Sequence, residues 1–178
     1  VRELVARDKD DKWLIFTPSR HEAVEFAKRF KEMEYNADFH NASLSLDERR
    51  QVEHDFKEGD LQILCATTTL STGVNLPARR VIVSGVHRGV NEMDPMDILQ
   101  CCGRAGRPKY DKEGDAYILL PMSEFEIQKN RMRHIKIKST LGAESDLLFH
   151  LNSEIYRGKI SSLANAEEWW SRTFAYKL

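Results

Sequence analysis

The chain has 178 residues, the length of one domain or of one domain with part of another, and a chain this size buries roughly 70% of its unfolded surface. Apolar residues make up 41% and charged residues 31%, a globular and not a disordered composition. With 27 Lys and Arg against 28 Asp and Glu the formal net charge is −1, so whole-chain charge gives no sign of a polybasic nucleic-acid or membrane-surface protein.

The chain opens on Val1-Arg2-Glu3 without an initiator Met and is expected to be a piece of a larger protein. Trp13-Leu14-Ile15-Phe16 is continuous and apolar, as in a strand covered on both faces of a parallel sheet. Ser19-Arg20-His21-Glu22 has capping-box spacing, and Ala23, Phe26, Ala27, Phe30 and Met33 follow as an apolar helical stripe. Residues 37–40 form a short extended piece. Ser45-Leu46-Asp47-Glu48 is a second capping box, with Val52 and Phe56 on one helix face and Gly59 in the C-cap position. Residues 62–66 and 80–84 are two more buried strands. Asp94 with Pro95 opens a further helix as N-cap and first helical residue. Residues 116–120 are the last strand, ended by Pro121. Strand and helix alternating at this spacing predict βαβ units, a parallel sheet and an α/β fold.

The composition then changes. Residues 128–138 carry Lys129, Arg131, Arg133, Lys136 and Lys138 with no acid, a basic connector. Leu147, Leu148, Leu151 and Ile155 mark an amphipathic helix ended by Gly158, and Asn165 with Glu168 is expected to cap a last helix holding Trp169 and Trp170. The expected division is therefore 1–123, an α/β lobe; 124–138, a connector; and 139–178, a helical segment too small to stand alone.

No apolar run reaches membrane-spanning length, and no secretory signal is visible. Cys65, Cys101 and Cys102 cannot form an even disulfide framework and lack zinc-knuckle spacing. They read as reduced, buried, small side chains of an intracellular protein.

Open α/β sheets bind ligands beyond the carboxyl ends of their strands, so the polar residues there are the ones to read. They are Thr17-Pro18-Ser19-Arg20, His40-Asn41, Thr67-Thr68-Thr69 with the segment 70–77, and residues 100–108, QCCGRAGRP. Arg104 and Arg107 flank a glycine turn. Two guanidiniums on one side of such a turn make a fork for phosphate oxygens, although an isolated RxxR is more often two surface arginines in a loop. Thr67, Thr68 and Ser19 suit an anion or a nucleic-acid backbone, or serve simply as caps. The histidines have no partner at metal-ligand spacing.

The strings LIFTPSR, HNASLSLDERR, CATTTLSTGVNLPARRVIVSG and QCCGRAGRPKYDKEGDAYILL, in that order, resemble motifs IV, IVa, V and VI of the second RecA-like lobe of superfamily 2 helicases. The likeness is to the DExH-box branch of superkiller-type helicases. GVNLPARRVIV, and GRAGRP followed by Tyr110-Asp111 and Gly114, resemble its archaeal repair helicase and spliceosomal unwinding helicase most. The tail from Ser139 looks like the start of the winged-helix domain that follows this lobe there. The resemblance implies a RecA-like lobe of an ATP-dependent helicase, serving DNA repair and recombination or RNA remodelling. Arg107 would be the main arginine finger, with Arg104 beside it and Gln100 orienting them. Gly73, Asn75 and Gly103 would approach the nucleotide. Thr17, Ser19, Arg20, His40, Asn41, Thr67 and Thr68 would track one strand. ATP and Mg2+ would be bound mainly by a first RecA-like lobe of the same polypeptide. The other partner would be single-stranded DNA or RNA, with no membrane, in the cytoplasm or, in a eukaryote, the nucleus.

The sequence contains no G-x-x-x-x-G-K-[ST] loop, and Asp47-Glu48-Arg49-Arg50 lies in a helix start and follows no strand. The chain alone is therefore expected not to hydrolyse ATP. A different class of reading is a helicase-like scaffold without catalysis, which the intact fork argues against. A dinucleotide-binding enzyme is remote without G-x-G-x-x-G after the first strand.

Overall fold

The computed structural model describes residues 1–68, 70, 76–107, 111–135 and 139–177. It divides into two units, Val1–Ile135 and Lys136–Leu178. The first unit contains α1 (Arg2–Arg7), β1 (Trp13–Thr17), α2 (Arg20–Glu32), β2 (Ala37–His40), α3 (Leu46–Lys57), β3 (Ile63–Thr67) and β4 (Arg80–Val83). A two-stranded hairpin, β5 (His87–Arg88) with β6 (Asn91–Glu92), comes next. After it come α4 (Pro95–Cys102), β7 (Asp115–Ile118) and α5 (Phe125–Arg133). The main sheet has five parallel strands in the order β2-β3-β1-β4-β7. This is the α/β, RecA-like fold that the sequence predicts.

The central strands explain why the apolar runs are continuous. Along β1, Trp13 and Ile15 enter one core with Ala23, Ala27 and Phe30 of α2, while Leu14 and Phe16 enter another with Phe56 of α3 and Cys101 of α4. Ile63 and Cys65 part from Leu64 and Ala66 in the same way, and Ile82 from Val81 and Val83. Successive side chains face opposite layers, so a strand covered on both sides can carry no polar alternation. Burial pushes the Cys65 and Cys102 thiols up, as befits small core side chains.

The caps largely follow the sequence. Ser45 and Glu48 form a reciprocal box, and Asp94 Oδ1 accepts from the Met96 N–H at 2.7 Å. Ser19 caps α2 by accepting from the Glu22 N–H at 3.2 Å. The cap of the helix carrying Trp169 and Trp170 differs from expectation. It is Ser162, whose hydroxyl accepts from the Asn165 N–H and donates to Asn165 Oδ1. Asn165 is the third helical residue and not the first outside it.

Residues 124–138, expected as a connector, are helical over Phe125–Arg133, within the first unit. Gln128 is fully buried there and Met132 packs beside Val86, Met93 and Ile98. A stripe of one polar and one apolar residue in a basic run gives little periodic signal. The hairpin and α1 were also invisible to periodicity, being too short, although Val5 of α1 is fully buried.

At the amino ends of the strands Arg80 ties the fold together. It bonds Asp11 at 2.6 Å, Asp115 and the Tyr117 hydroxyl at 2.9 Å, and pairs with Asp8 at 3.2 Å. The second unit contains a 3₁₀ turn at Thr140–Gly142 and the helices α6 (Glu144–Tyr156), α7 (Leu163–Ser171) and α8 (Phe174–Lys177). Among the described residues no helix is long and apolar enough to cross a membrane.

Candidate functional site

Helix α4 begins beside the hairpin, where the Met93 N–H donates to the Val86 carbonyl at 2.8 Å, and runs back against β4. Gly103 ends it, donating to the Leu99 carbonyl at 2.8 Å. The following turn is pinned to Ala78, just ahead of β4. The Ala78 N–H donates to the Arg104 carbonyl at 3.0 Å, and the Gly106 N–H donates to the Ala78 carbonyl at 2.7 Å. Gly106 has φ +91°, a left-handed conformation that suits glycine. Gly114 abuts the same turn so closely that a Cβ there would lie 2.3 Å from Gly106 N and 2.4 Å from the Ala105 carbonyl carbon. Two stretches of backbone touch, and only glycine permits it.

Arg107 leaves this turn as one half of a fork-to-fork pair. Its Nε donates to Asp111 Oδ2 at 2.7 Å and its Nη2 to Oδ1 at 2.8 Å, while its backbone N–H adds a bond to Oδ2 at 2.9 Å. The Asp111 side chain is 7% exposed and that of Arg107 27%. Hydrogen bonding from Arg107 holds the Asp111 carboxyl below the usual carboxylate range. Lys12 lies at the same end, its ammonium donating to the carbonyls of Phe56 at 2.5 Å and Gly59 at 2.9 Å. Burial first, and then the Arg107 charge, lower its pKa. Arg104 is half-buried on the turn, and Gln100 is exposed in the last turn of α4.

The structure thus brings Gln100, Gly103, Arg104 and Arg107 together, but at the amino ends of the strands and not at the carboxyl ends. The reason is topological. A crossover helix returns the chain to the starting edge of the sheet, so residues between helix and strand face opposite to those between strand and helix. Gly73 and Asn75 lie outside the described residues.

The carboxyl ends hold the remaining candidates. A concavity of about 370 Å3 is lined by Pro18, Ser19, Arg20, Ala42, Thr67, Thr68 and Arg88. Arg20 is exposed and Thr67 half-buried. Arg88 Nη2 donates to the Thr68 hydroxyl and pairs with Asp97 at 3.2 Å. Sequence reasoning missed Arg88. The rule that selected the residues beyond the first three strands would have found it beyond β4, had it been extended there.

Thr17, His40 and Asn41 differ from expectation, because their polar groups turn inward. The Thr17 hydroxyl donates to the Ser19 and Ala66 carbonyls at 3.0 and 3.3 Å. His40 Nε2 lies 2.9 Å from Glu53 Oε1, and the ring is almost fully enclosed. Asn41 donates to the Arg20 carbonyl at 3.4 Å and accepts from the Ser43 N–H at 2.9 Å and the Ser43 hydroxyl at 2.5 Å. These three shape the loops that form the concavity. Among the described residues no three His, Cys, Asp or Glu side chains converge to hold a metal.

A family model described as the helicase conserved C-terminal domain matches residues 1–109. The DExH-box ATP-dependent RNA helicase DExH13 of Arabidopsis thaliana is 38% identical over 149 residues, covering 80% of this chain and 7% of that protein. The ATP-dependent DNA helicase MER3 of Saccharomyces cerevisiae is 34% identical over 148 residues, 81% of this chain and 12% of that protein. The ATP-dependent DNA helicase Hel308 of Pyrobaculum calidifontis is 37% identical over 145 residues, 76% of this chain and 20% of that protein. The chain therefore spans a fifth or less of the length of these relatives. The C-terminal domain of the DEAD-box protein Dbp5 shares the fold, with TM-score 0.61 and 22% identity over 74% of this chain and 73% of that one.

Proposed function

Since the chain belongs to the helicase conserved C-terminal domain family, in the DExH-box branch of superfamily 2, we propose that it is the second RecA-like lobe of an ATP-driven nucleic-acid motor. Arg107 is its main arginine finger, Arg104 stands beside it, and Gln100 orients the pair toward the γ-phosphate. Gly103, with Gly73 and Asn75, lets backbone approach the nucleotide. Charge spread over a transferring phosphoryl group needs a fixed cation, and such a finger is worth about 10³–10⁵ in rate. One observation carries this reading: the glycine turn that fixes Arg104 and Arg107 against Ala78 and Gly114.

ATP and Mg2+ belong mainly to a first lobe of the same polypeptide. Ser19, Arg20, Thr67, Thr68 and Arg88 follow the phosphates of one DNA or RNA strand, and such contacts bind without reading sequence. Residues 139–178 begin a winged-helix domain. The protein acts in repair and recombination or in RNA remodelling, in the cytoplasm or nucleus.

In the full-length protein Arg107→Ala should lower nucleic-acid-stimulated ATPase by at least about 10³, measured with single-stranded DNA and with RNA in parallel. Unchanged ATPase would refute the proposal.

A further inference from the structure

The carboxyl ends of the strands hold a second concavity beside the one that Ser19, Arg20, Thr67, Thr68 and Arg88 line. It measures about 520 Å3, lies where β1, β4 and β7 end, and has Pro18, Val86, Leu119, Leu120 and Pro121 for walls. Apolar walls with a few polar groups around about 300–1,000 Å3 are the usual form of a small-ligand site. Pro18 borders both concavities, so the two adjoin. Gly85 lets Pro18 lie close, since a Cβ there would sit 3.1 Å from Pro18 Cγ. The hairpin serves both as well, because successive strand residues face opposite sides. Arg88 lines the first concavity and His87 the second, with His87 Nδ1 3.8 Å from Glu124 Oε2.

Charge separates the two. Arg20 and Arg88 give the first a positive lining with no acid in it. The second has Glu22 in its lining and neither Lys nor Arg, so a phosphate is drawn to the first and repelled from the second. Ser84 belongs to the second, and its hydroxyl, enclosed by protein, has no hydrogen-bond partner, a condition that a polar ligand would relieve. Resting on the reading of the first concavity as part of the strand track, we propose that the second is a nucleobase subsite. While Arg20 and Arg88 hold phosphates, one unpaired base of the same strand enters it, faces against the apolar walls and polar edge toward Ser84, His87 and Glu22. A base is neutral, apolar on its faces and furnished with donors and acceptors on its edge, which such a lining suits. Every base has such faces, so the subsite tolerates any sequence. It also selects single strands, because a base lodged there has left the stack and its pairing partner.

The test is a cycle in the full-length protein, with affinity read by fluorescence anisotropy at low salt. Two single strands of equal length are compared, of whichever of DNA and RNA binds more tightly. One is ordinary, and the other has abasic sites throughout with its phosphates intact. Ser84→Ala with His87→Ala should weaken binding of the base-bearing strand by about 5–20-fold and leave the abasic strand within about twofold of wild type. Should that double variant fail to accumulate, Ser84→Ala alone removes a hydroxyl that has no partner within the protein to lose. It should show the same selective loss at about threefold. Equal losses on both strands would assign these residues to the fold or to phosphate and overturn the subsite, and so would unchanged affinity for both. Arg88→Ala should instead weaken the two strands alike. If it changes neither, the track reading fails and the subsite with it; if it weakens both while the cavity variants show no selective loss, the track stands and the subsite does not.

Discussion

Gly114→Ala is the sharpest perturbation the fold offers, because the added methyl meets backbone on every near side. Its Cβ would sit 2.3 Å from Gly106 N, 2.4 Å from the Ala105 carbonyl carbon and 2.6 Å from the Ala105 oxygen. Real Cβ atoms keep at least 3.0 Å, so the turn must open by no less than 0.7 Å. No side chain can rotate out of the way. The opening displaces Arg104 and Arg107 together, since Ala105 and Gly106 lie between them. Overpacking of this kind costs about 1–3 kcal/mol of stability, and a misplacement of about 1 Å can cost about 10² in turnover. The assay is steady-state ATPase of the full-length protein at saturating single strand, with strand affinity read by fluorescence anisotropy. The expected result is a kcat about 10–10² lower at wild-type affinity. Gly142→Ala is the control, since a Cβ there meets nothing within 4 Å and should leave both quantities unchanged. A Gly114→Ala protein with wild-type kcat would refute the reasoning that this backbone contact sets the fork. A loss of affinity at wild-type kcat would refute the separation of the two ends.

Three further outcomes are expected. On the proposed strand track Arg88→Ala removes one phosphate contact, so strand affinity should fall severalfold and the slope of log affinity against log salt should shrink by about 0.7; titrations at several salt concentrations would expose an unchanged slope. His40→Ala leaves Glu53 without its imidazole partner, and urea unfolding should show a loss of about 1–3 kcal/mol with strand affinity of the folded protein nearly intact. Asp111 ionises more readily in the folded chain than in the unfolded one. Its pairing therefore stabilises the fold in full above the unfolded carboxyl value of about 4 and is lost as pH falls through the lower folded value. Denaturation midpoints of wild type and Asp111→Asn should accordingly differ at pH 7 and converge toward pH 3; a gap that widens in acid would contradict the pairing.

The core strands could be read from sequence because burial on two faces removes every polar residue from them, as in Trp13-Leu14-Ile15-Phe16. The caps at Ser19, Ser45 and Asp94 could be read because their chemistry is local. Three things could not. Arg2–Arg7 and the hairpin at His87–Arg88 and Asn91–Glu92 are shorter than any window in which periodicity can be measured. The inward turn of Thr17, His40 and Asn41 depends on acceptors distant in the chain, such as the Ala66 carbonyl and Glu53. The placement of Arg104 and Arg107 at the amino edge follows from the direction of α4, which a motif does not encode. Arg107 and Asp111 have the i,i+4 spacing at which opposite charges commonly meet on a helix, so their tie was within reach. Neither spacing nor composition reveals that the bond is bidentate.

The pairing of β4 with α4 has a mechanical consequence. β4 is about 13 Å long and α4 about 12 Å, and they lie side by side running in opposite directions. At one end they meet at the turn holding Arg104, and at the other at the hairpin holding Arg88. Val81 and Val83 of β4 share one fully enclosed core with Cys101 of α4, and Ile98 of α4 is enclosed as well. A change confined to the guanidinium turn, as in Gly114→Ala, leaves this pair and Arg88 in place, whereas one that shifted α4 as a whole would carry Asp97, the partner of Arg88, with it. One strand and one helix thus span the distance between the two ends of the lobe, the guanidinium turn and the hairpin.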